Sequence, residues 1–376
     1  MDSCDVLIVG GGPAGSACAW KLRRAGLDVL VIDKATFPRD KVCAGWITPQ
    51  TIDDLGIEPA DYRRRRTFQP ITGFRVGIIG RDVAVETSYD HPVSYGIRRC
   101  EFDEYLLRRS GARLQLGAPI TTIRRSGAHW IVNESVRTSL LVGAGGHFCP
   151  VARLLNPANR GAPLVAAQEV EFAIDPREPS SFDVAAIRPE LYFCRDLAGY
   201  GWCFRKEQYL NVGFGRLGAR ALPGSTAAFI DFLKAQHRIP ADASWQWRGH
   251  AYLLSAPHRR RAFDDGVLLV GDAAGLAYPQ SGEGIRPAIE SGLIAASAIL
   301  DARGDYTRAR LESYENRIQS RFGVAPLAGL LARAVPRRVA AAVGVRLLDN
   351  PWFVRHIVID RWFLHAQERA LGILNS

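Results

Sequence analysis

The feature that most constrains the fold is the amino-terminal segment, which contains every part of a nucleotide-binding βαβ unit. An apolar run, Val6–Val9, leads into the glycine turn Gly10-Gly-Gly-Pro-Ala-Gly15, which is followed by a helix-period stretch and a second apolar run ending at Asp33. In such a unit Gly10 permits the turn, Gly12 lets the backbone approach a pyrophosphate, and Gly15 lets the helix pack closely on the strand. The complete unit predicts a dinucleotide site.

The remaining residues of this unit complete the predicted site. Pro13 and Ala14 begin the helix, whose amino terminus faces the phosphates because its unpaired N–H groups and its dipole favour negative charge. Asp33 ends the second strand, where a carboxylate accepts a hydrogen bond from a ribose hydroxyl group, and Lys34 follows it. This spacing does not distinguish FAD from NAD, so a second signal is needed.

The second signal lies far downstream, where an apolar strand at 267–270 ends in Gly271-Asp272 and a later Gly-Glu-Gly284-Ile285 opens a helix. This arrangement resembles the Gly-Asp motif of the flavoprotein superfamily of aromatic hydroxylases and geranylgeranyl reductases. The resemblance implies that Asp272 holds the ribityl chain of FAD and that Gly284 and Ile285 face flavin N1 and the C2 carbonyl. A helix amino terminus there would stabilise the negative charge that reduced flavin carries at N1.

Two further stretches resemble one branch of that superfamily. Residues 38–45, Pro-Arg-Asp-Lys-Val-Cys-Ala-Gly, resemble the Pro-Arg-x-Lys-x-Cys-Gly-Gly loop of geranylgeranyl reductases, with Ala44 in place of the first glycine. The resemblance implies that Cys43, Ala44 and Gly45 approach the flavin. Cys43 is either a redox or proton-relay thiol close to the flavin or a small buried hydrophobic residue in a loop.

The second of these stretches is the segment 199–204, Gly-Tyr-Gly-Trp-Cys-Phe, which resembles the Tyr-x-Trp-x-Phe-Pro strand over the isoalloxazine, with Arg205 in place of proline. Tyr200 and Trp202 are therefore expected to line the substrate cavity, although core aromatic residues on a strand would give the same pattern. Together with Cys43 they are the candidate catalytic residues. Flavin-dependent halogenases carry Trp-x-Trp-x-Ile-Pro here and a lysine that captures hypohalous acid, so halogenation is disfavoured.

Two other fragments match the superfamily in part. Arg99-Cys-Glu-Phe-Asp resembles its R-x-x-F-D element, which implies that Arg99 contacts FAD, although Arg98 could exchange roles with it. The segment 141–153 occupies the place of a Gly-Ala-Asp-Gly element, with Gly145 where aspartate is usual and Cys149 where serine is usual. In the hydroxylases that aspartate is linked to both FAD and NADPH binding, so this departure argues against their mode of NADPH handling.

These elements predict an α/β (α+β) protein with a Rossmann-like FAD-binding domain containing a parallel sheet, an inserted antiparallel-sheet substrate domain and C-terminal helices. The 376 residues, 47% of them hydrophobic, suffice for two packed cores. The expected boundaries are 1–75, 97–160 and 262–320 for the FAD-binding domain, 76–96 and 161–261 for the substrate domain, and 321–376 for the helical segment.

Charge and cysteine content bound the partners. A net charge of +10 would suit nucleic acid or anionic lipid, but arginine carries most of it and no basic tail or zinc-finger spacing accompanies it. We therefore expect no nucleic-acid partner. Seven scattered cysteines without a CxxC pair predict reduced thiols in a cytoplasmic protein and no metal site.

The carboxyl-terminal part has a different character. The chain is apolar with arginines from Phe322 to Leu348, and Trp352–Leu364 has the pattern of a short amphipathic helix with aromatic residues. This composition suits a peripheral membrane contact, the wall of an apolar substrate tunnel, or helices that cap the substrate domain. No run of about twenty apolar residues predicts a spanning helix.

The resemblances imply an FAD-dependent oxidoreductase that reduces a carbon–carbon double bond of a hydrophobic, isoprenoid-like substrate by hydride transfer from reduced FAD. The alternative is an FAD-dependent monooxygenase that hydroxylates or epoxidises a hydrophobic or aromatic substrate. A third hypothesis is a flavin-binding redox sensor or carrier without turnover. The electron donor is left open between NAD(P)H and a ferredoxin-like redox protein.

Overall fold

The computed structural model describes residues 1–157, 164–175, 177, 182–254, 260–323 and 337–372. Its strands are β1 (Asp2–Val9), β2 (Val29–Asp33), β3 (Trp46–Ile47), β4 (Gln69–Ile71), β5 (Gly73–Ile78), β6 (Ala84–Ser88), β7 (Ser94–Gly96), β8 (Arg113–Leu116), β9 (Ile123–Ser126), β10 (His129–Val132), β11 (Val136–Gly143), β12 (Leu164–Ala173), β13 (Glu190–Phe193), β14 (Gly199–Lys206), β15 (Tyr209–Leu217), β16 (Arg248–Leu253), β17 (Phe263–Asp264) and β18 (Val267–Leu269). Its helices are α1 (Pro13–Arg24), α2 (Pro49–Leu55), α3 (Pro59–Arg63), α4 (Arg99–Arg109), α5 (Pro150–Leu155), α6 (Leu222–Ala235), α7 (Ile285–Ala302), α8 (Arg308–Phe322), α9 (Arg337–Leu347) and α10 (Pro351–Phe353), which continues as a π-helix (Val354–Phe363).

The first sheet is built around β1, which pairs in parallel with β2 on one side and with β11 on the other. Its strand order is β17-β18-β11-β1-β2-β8, and β10 and β9 extend it from β11 as antiparallel strands. Strand β1 carries a buried apolar run, as expected for a parallel strand covered on both faces. Helices α1 and α7 cross closely at Gly292, where a Cβ would lie 2.2 Å from the Ala14 carbonyl oxygen.

The second sheet has the order β16-β12-β15-β14-β13-β5-β6 and is antiparallel except for the β13–β5 pair. Neighbouring residues of β14 point to opposite faces, so Trp202 packs in one apolar cluster and Cys203 packs with Phe229 of α6 in another. The predicted domain boundary between residues 75 and 76 cuts through β5, which lies wholly in this sheet. The inserted sheet therefore begins near Gly73.

The C-terminal segment packs against the second sheet. Phe363 of the π-helix lies with its ring centroid 5.6 Å from that of Trp46 and 5.4 Å from that of Tyr200. The predicted amphipathic helix over Trp352–Leu364 is thus mostly a π-helix whose buried side chains join the apolar cluster around Trp202. The predicted start of this segment at residue 321 falls within α8, and residues 324–336 of the Phe322–Leu348 stretch lie outside the described part of the chain.

The predicted fold class is confirmed. The glycine turn follows β1, the parallel sheet carries the predicted βαβ unit, and the inserted sheet lies beside it. A small sheet of order β3-β7-β4 adjoins the two. This arrangement brings the loop after β1 and the loop before α7 to the edge where the large sheets meet.

Candidate active site

A cavity of about 530 Å³ lies between the two large sheets. It brings together most of the predicted site residues, although they are far apart in the sequence. Those in its lining are Gly10, Gly12, Pro13, Ala14, Asp33, Lys34, Cys43, Ala44, Gly45, Arg99, Tyr200, Trp202, Asp272, Gly284 and Ile285. Gly15 and Gly271 lie outside the lining. A Cβ at Gly15 would be 2.0 Å from the Gly10 carbonyl oxygen, and Gly271 donates its N–H to Ser291 Oγ at 2.9 Å.

At one end of the cavity the glycine turn is held by backbone geometry. Gly10 has a φ of +116°, and a Cβ there would lie 2.4 Å from the Ala144 carbonyl oxygen. The Asp33 carboxylate accepts the N–H of Gly11 at 2.7 Å and that of Ala35 at 2.8 Å. Asp33 therefore shapes the turn, and each of its oxygens retains acceptor capacity for the predicted ribose hydroxyl group.

The loop that carries Cys43 crosses the middle of the cavity. Its backbone is fixed by the second sheet, because the Cys43 N–H donates to Glu169 Oε2 at 2.6 Å and Asn211 Nδ2 donates to the Cys43 carbonyl at 3.4 Å. Gly45 has a φ of +70°, and a Cβ there would lie 2.4 Å from the Ile97 carbonyl oxygen. This residue type is therefore required for the path of the loop.

Arg99 occupies the position predicted for a cofactor contact, but part of its guanidinium group is already engaged. Its Nε and Nη2 donate to the two oxygens of Asp103, each at 2.8 Å. Burial opposes the charge on Arg99, but Asp103 and the adjacent Cys43 raise its pKa overall. Arg98 pairs with Glu171 and is not in the lining, so the two arginines do not exchange roles.

The opposite wall of the cavity is aromatic. Tyr200 donates its hydroxyl to the Ser281 carbonyl at 2.5 Å, and Trp202 Nε1 donates to Asn211 Oδ1 at 2.7 Å. Because these polar atoms are satisfied, the rings present apolar surface to the cavity. Gly213 makes room for the indole, since a Cβ there would lie 2.1 Å from the Trp202 ring. Tyr200 and Trp202 thus both line the cavity and belong to a packed aromatic cluster.

Comparison with known proteins agrees with this geometry. Residues 3–322 match the model of a protein family described as FAD binding domain. The chain belongs to this family. It is an FAD-dependent oxidoreductase, and the predicted resemblance to geranylgeranyl-reductase-like flavoproteins is confirmed.

Individual relatives cover nearly the whole chain. A menaquinone reductase of Mycobacterium tuberculosis is 31% identical over 360 residues, which cover 88% of this chain and 84% of that protein. A digeranylgeranylglycerophospholipid reductase of Methanocaldococcus jannaschii is 27% identical over 385 residues, covering 96% of each. The structure of a geranylgeranyl bacteriochlorophyll reductase-like protein from Thermoplasma acidophilum has a TM-score of 0.72 at 22% identity, covering 100% of this chain and 96% of that one, and it shares the fold.

The residues that line the cavity between the two large sheets fit FAD. Arg39 Nη1 is buried without a hydrogen-bond partner in the described part of the chain, and Arg39 lines the cavity beside Gly12. A phosphate oxygen at the amino terminus of α1 would satisfy it. Within the described ranges, no group of three or more His, Cys, Asp and Glu side chains is arranged to hold a metal ion.

Sequence reasoning missed several charged groups of the lining. Lys41 contacts His250 of β16, and burial lowers the pKa of Lys41 to about 8 and that of His250 to about 3. Glu283 lines the cavity next to Gly284. Lys41 and Glu283 lie within the motifs that predicted the site, so both could have been named from the sequence. His250 lies outside these motifs, and no sequence pattern singles it out.

Two buried carboxylates support the Cys43 loop from the second sheet. Burial raises the pKa of Glu169 to about 7. Glu171 differs because, although burial opposes its ionisation, Lys206 at 2.8 Å and Arg98 lower its pKa overall. The Glu171–Lys206 ion pair therefore lies beside Glu169, whose carboxyl group titrates near neutral pH.

Proposed function

We propose that this oxidoreductase reduces carbon–carbon double bonds in a long apolar, isoprenoid-like substrate. The observation that carries the proposal is the aromatic wall of Trp46, Tyr200 and Trp202, which continues the cavity beyond the FAD-binding turn. A wall of this kind accepts an extended apolar chain and excludes water from it. The relatives named menaquinone reductase and digeranylgeranylglycerophospholipid reductase support such a substrate class.

FAD, when bound, supplies the hydride in this reaction. The amino terminus of α1 and Arg39 would hold the pyrophosphate, and Asp272 would hold the ribityl chain. The amino terminus of α7 would stabilise negative charge on the reduced ring. Cys43 lies beside the Arg99 guanidinium group in the middle of the cavity, and we propose it as a catalytic thiol.

The proposed reaction is tested under strict anaerobiosis. FAD-loaded protein is reduced with dithionite and mixed with geranylgeraniol or a digeranylgeranyl glycerophospholipid, and the lipids are analysed by mass spectrometry. We expect at least one of them to gain two hydrogen atoms per reduced double bond. No gain without oxygen, together with a gain of one oxygen atom in air, would instead establish the monooxygenase alternative.

We propose further that this protein is cytoplasmic and reaches its lipid substrate by docking on an anionic membrane surface. Val339, Val343 and Leu347 recur every fourth residue on one face of α9, where the two valines are each 52% exposed, and Trp352 beyond it is 63% exposed. Exposed Arg346 lies next to Val339 and Val343 on this face. An exposed apolar face beside an arginine supports an interfacial contact. In the described part of the chain no helix is long and apolar enough to cross a bilayer.

Vesicle sedimentation tests the docking. We expect the protein to sediment with vesicles containing phosphatidylserine and Trp352→Glu to do so at least about tenfold less, because it would bury a charge at the interface. Leu154→Glu, on exposed α5 of the FAD-binding domain, is the matched control and should bind like wild type. Equal binding of wild type and Trp352→Glu would contradict this docking face.

For the electron donor we propose transient use of NAD(P)H or of a redox protein, since one dinucleotide turn in the sequence is assigned to FAD. Anaerobic mixing with NADH, NADPH or reduced ferredoxin, followed by the loss of flavin absorbance, distinguishes these donors. Bleaching by a nicotinamide alone at a rate that supports turnover would exclude the need for a protein donor.

A further inference from the structure

Glu283 carries a cavity-lining carboxyl group and lies between the two glycines that precede α7. Its Oε1 accepts the backbone N–H of Arg286 at 2.8 Å, which fixes the side chain at the start of the helix. Among the described residues, Oε2 has no hydrogen-bond partner. Glu283 therefore offers one carboxyl oxygen next to Gly284, the residue expected to face the flavin.

Titratable side chains lie near this position and extend to the surface. Tyr278 donates its backbone N–H to the Glu283 carbonyl at 3.0 Å, and His365 stacks on Tyr278 with the ring centroids 3.6 Å apart. His365 Nδ1 lies 3.3 Å from Glu368 Oε1. The His365 side chain is only 9% exposed, and its Nε2 is buried without a hydrogen-bond partner in the described part of the chain. Glu368 is 32% exposed and reaches solvent. His365 thus contacts a solvent-facing carboxylate and acts electrostatically on Glu283.

The groups that act on Glu283 come from every element packed around it. They are Arg286 and Glu290 on α7, His365 in the C-terminal segment, Tyr278 in the preceding loop and Tyr200 on β14. The positive charge of Arg286 is balanced by Glu290 at 2.7 Å. Burial raises the pKa of Glu283 to about 7, against the opposing effects of Arg286 and His365, so the group exchanges a proton near neutral pH.

The other acids of the described lining are committed elsewhere. Asp33 holds the glycine turn, and exposed Asp40 pairs with Arg248. Asp272 occupies the position expected to hold the ribityl chain. Glu169 also titrates near neutral pH but is not part of the lining. Glu283 is the acid that combines a place in the cavity wall, a free oxygen and a link to solvent.

We propose that Glu283 is the proton donor of the reaction and that His365 and Glu368 reload it from solvent. This inference rests on the proposed function. The carbon–carbon π bond breaks, one carbon gains the hydride from reduced FAD, and the other forms a bond to the proton of Glu283. The electron pair of the Glu283 O–H bond stays on the carboxylate. His365 then returns a proton to the carboxylate and regains one through Glu368.

The first test needs no substrate. The midpoint potential of bound FAD is measured by spectroelectrochemistry between about pH 6 and pH 9. Reduction adds negative charge next to Glu283 and raises its proton affinity, so above its pKa one extra proton is taken up per two electrons. We expect the wild-type potential to fall with pH more steeply than that of Glu283→Gln by about 30 mV per pH unit, the value for a tenfold change in a two-electron couple.

The matched control is Glu190→Gln, a buried glutamate on β13 that hydrogen-bonds Tyr192 and lies outside the cavity lining. Its slope should equal that of wild type. Equal slopes for wild type and Glu283→Gln would overturn the assignment, whatever the substrate is.

The second test follows the proton to the substrate. Anaerobic reoxidation of the reduced flavin by a lipid that wild type reduces should be about 100-fold slower or more in Glu283→Gln, the usual contribution of a general acid, and unchanged in Glu190→Gln. In His365→Ala, added imidazole should restore steady-state turnover. Wild-type rates in Glu283→Gln would overturn the donor, and turnover that imidazole does not restore would remove His365 from the route.

If no lipid reoxidises wild type, the proposed function fails, and the potential measurement still decides whether Glu283 exchanges a proton with the flavin.

Discussion

The two ends of the cavity are built in different ways. At the FAD end, one contiguous turn, Gly10–Gly15, presents backbone groups, and Asp33 fixes it through backbone hydrogen bonds. At the end proposed for the substrate, the surface consists of side chains from separate elements, such as Ala167 on β12, Leu191 on β13 and Trp202 on β14. The first end should therefore be sensitive to single atoms added to the backbone, and the second to side-chain volume and protonation.

The largest expected effect is at Gly12. A Cβ there would contact only Arg39 Nη2, at 3.4 Å, so Gly12→Val should fold while its side chain occupies the space of the pyrophosphate. We expect FAD affinity, measured by flavin fluorescence quenching, to fall at least about 100-fold, or about 3 kcal/mol. Gly224→Val, on α6 with nothing within 4 Å of its Cβ, is the control. Wild-type FAD affinity in Gly12→Val would place the pyrophosphate elsewhere.

The second prediction concerns Glu169, whose pKa of about 7 in the folded protein exceeds its ordinary value of 4.5. The native state then binds more protons than the unfolded state between these values, so the free energy of unfolding falls as pH rises through them. Urea unfolding of the FAD-free protein should show this loss, on the order of 2 kcal/mol between about pH 5 and pH 8.

Glu169→Gln should remove the contribution of Glu169 to the pH dependence, because the amide does not titrate. The contribution of Glu283, whose pKa is also raised to about 7, should remain. Glu312→Gln, an exposed position on α8, is the control and should keep the pH dependence of wild type. The same pH dependence in Glu169→Gln and wild type would show that Glu169 does not titrate in this range.

The third prediction separates the two faces of β12. Ala167 lies on the cavity face, and its neighbour Ala166 lies on the face that packs against α6. Ala167→Leu should lower the affinity for an apolar chain about tenfold, or about 1.4 kcal/mol, and leave FAD affinity unchanged. Ala166→Leu adds the same side-chain volume to the other face. It should lower the free energy of unfolding about as much as Ala167→Leu does, but it should bind the lipid with wild-type affinity. Equal lipid affinity in the two variants would place the substrate elsewhere.

The smallest expected effect is at Tyr200. Tyr200→Phe removes the hydroxyl that donates to the Ser281 carbonyl, and we expect the free energy of unfolding to fall by about 1 kcal/mol. Tyr95→Phe, in which the ring stacked on Phe68 is retained, should change it less. Unchanged stability in Tyr200→Phe would mean that this hydrogen bond contributes nothing net.

The same difference between the two ends explains what the sequence could predict. Gly10, Asp33 and the segment around Asp272 follow buried strands directly, so their backbone roles are visible as local patterns. The break near Gly73 was misplaced by a few residues, because β5 pairs with β13, more than a hundred residues further along the chain.

Side-chain contacts of the site could not be predicted in this way. The support of Cys43 by Glu169 and the approach of His365 to the loop before α7 each join residues that no local spacing relates. Glu283 lay within a motif used for the prediction, but its role depends on burial and on the free oxygen, which only the packed structure provides.

The central claim is that one cavity holds FAD at the turn and an apolar chain against Trp202. The most direct measurement is the visible difference spectrum of oxidised, FAD-loaded protein titrated with geranylgeraniol. The account predicts a saturable perturbation of the flavin bands that Ala167→Leu weakens about tenfold. Flavin bands that stay unchanged at saturating lipid, with FAD still bound, would contradict it.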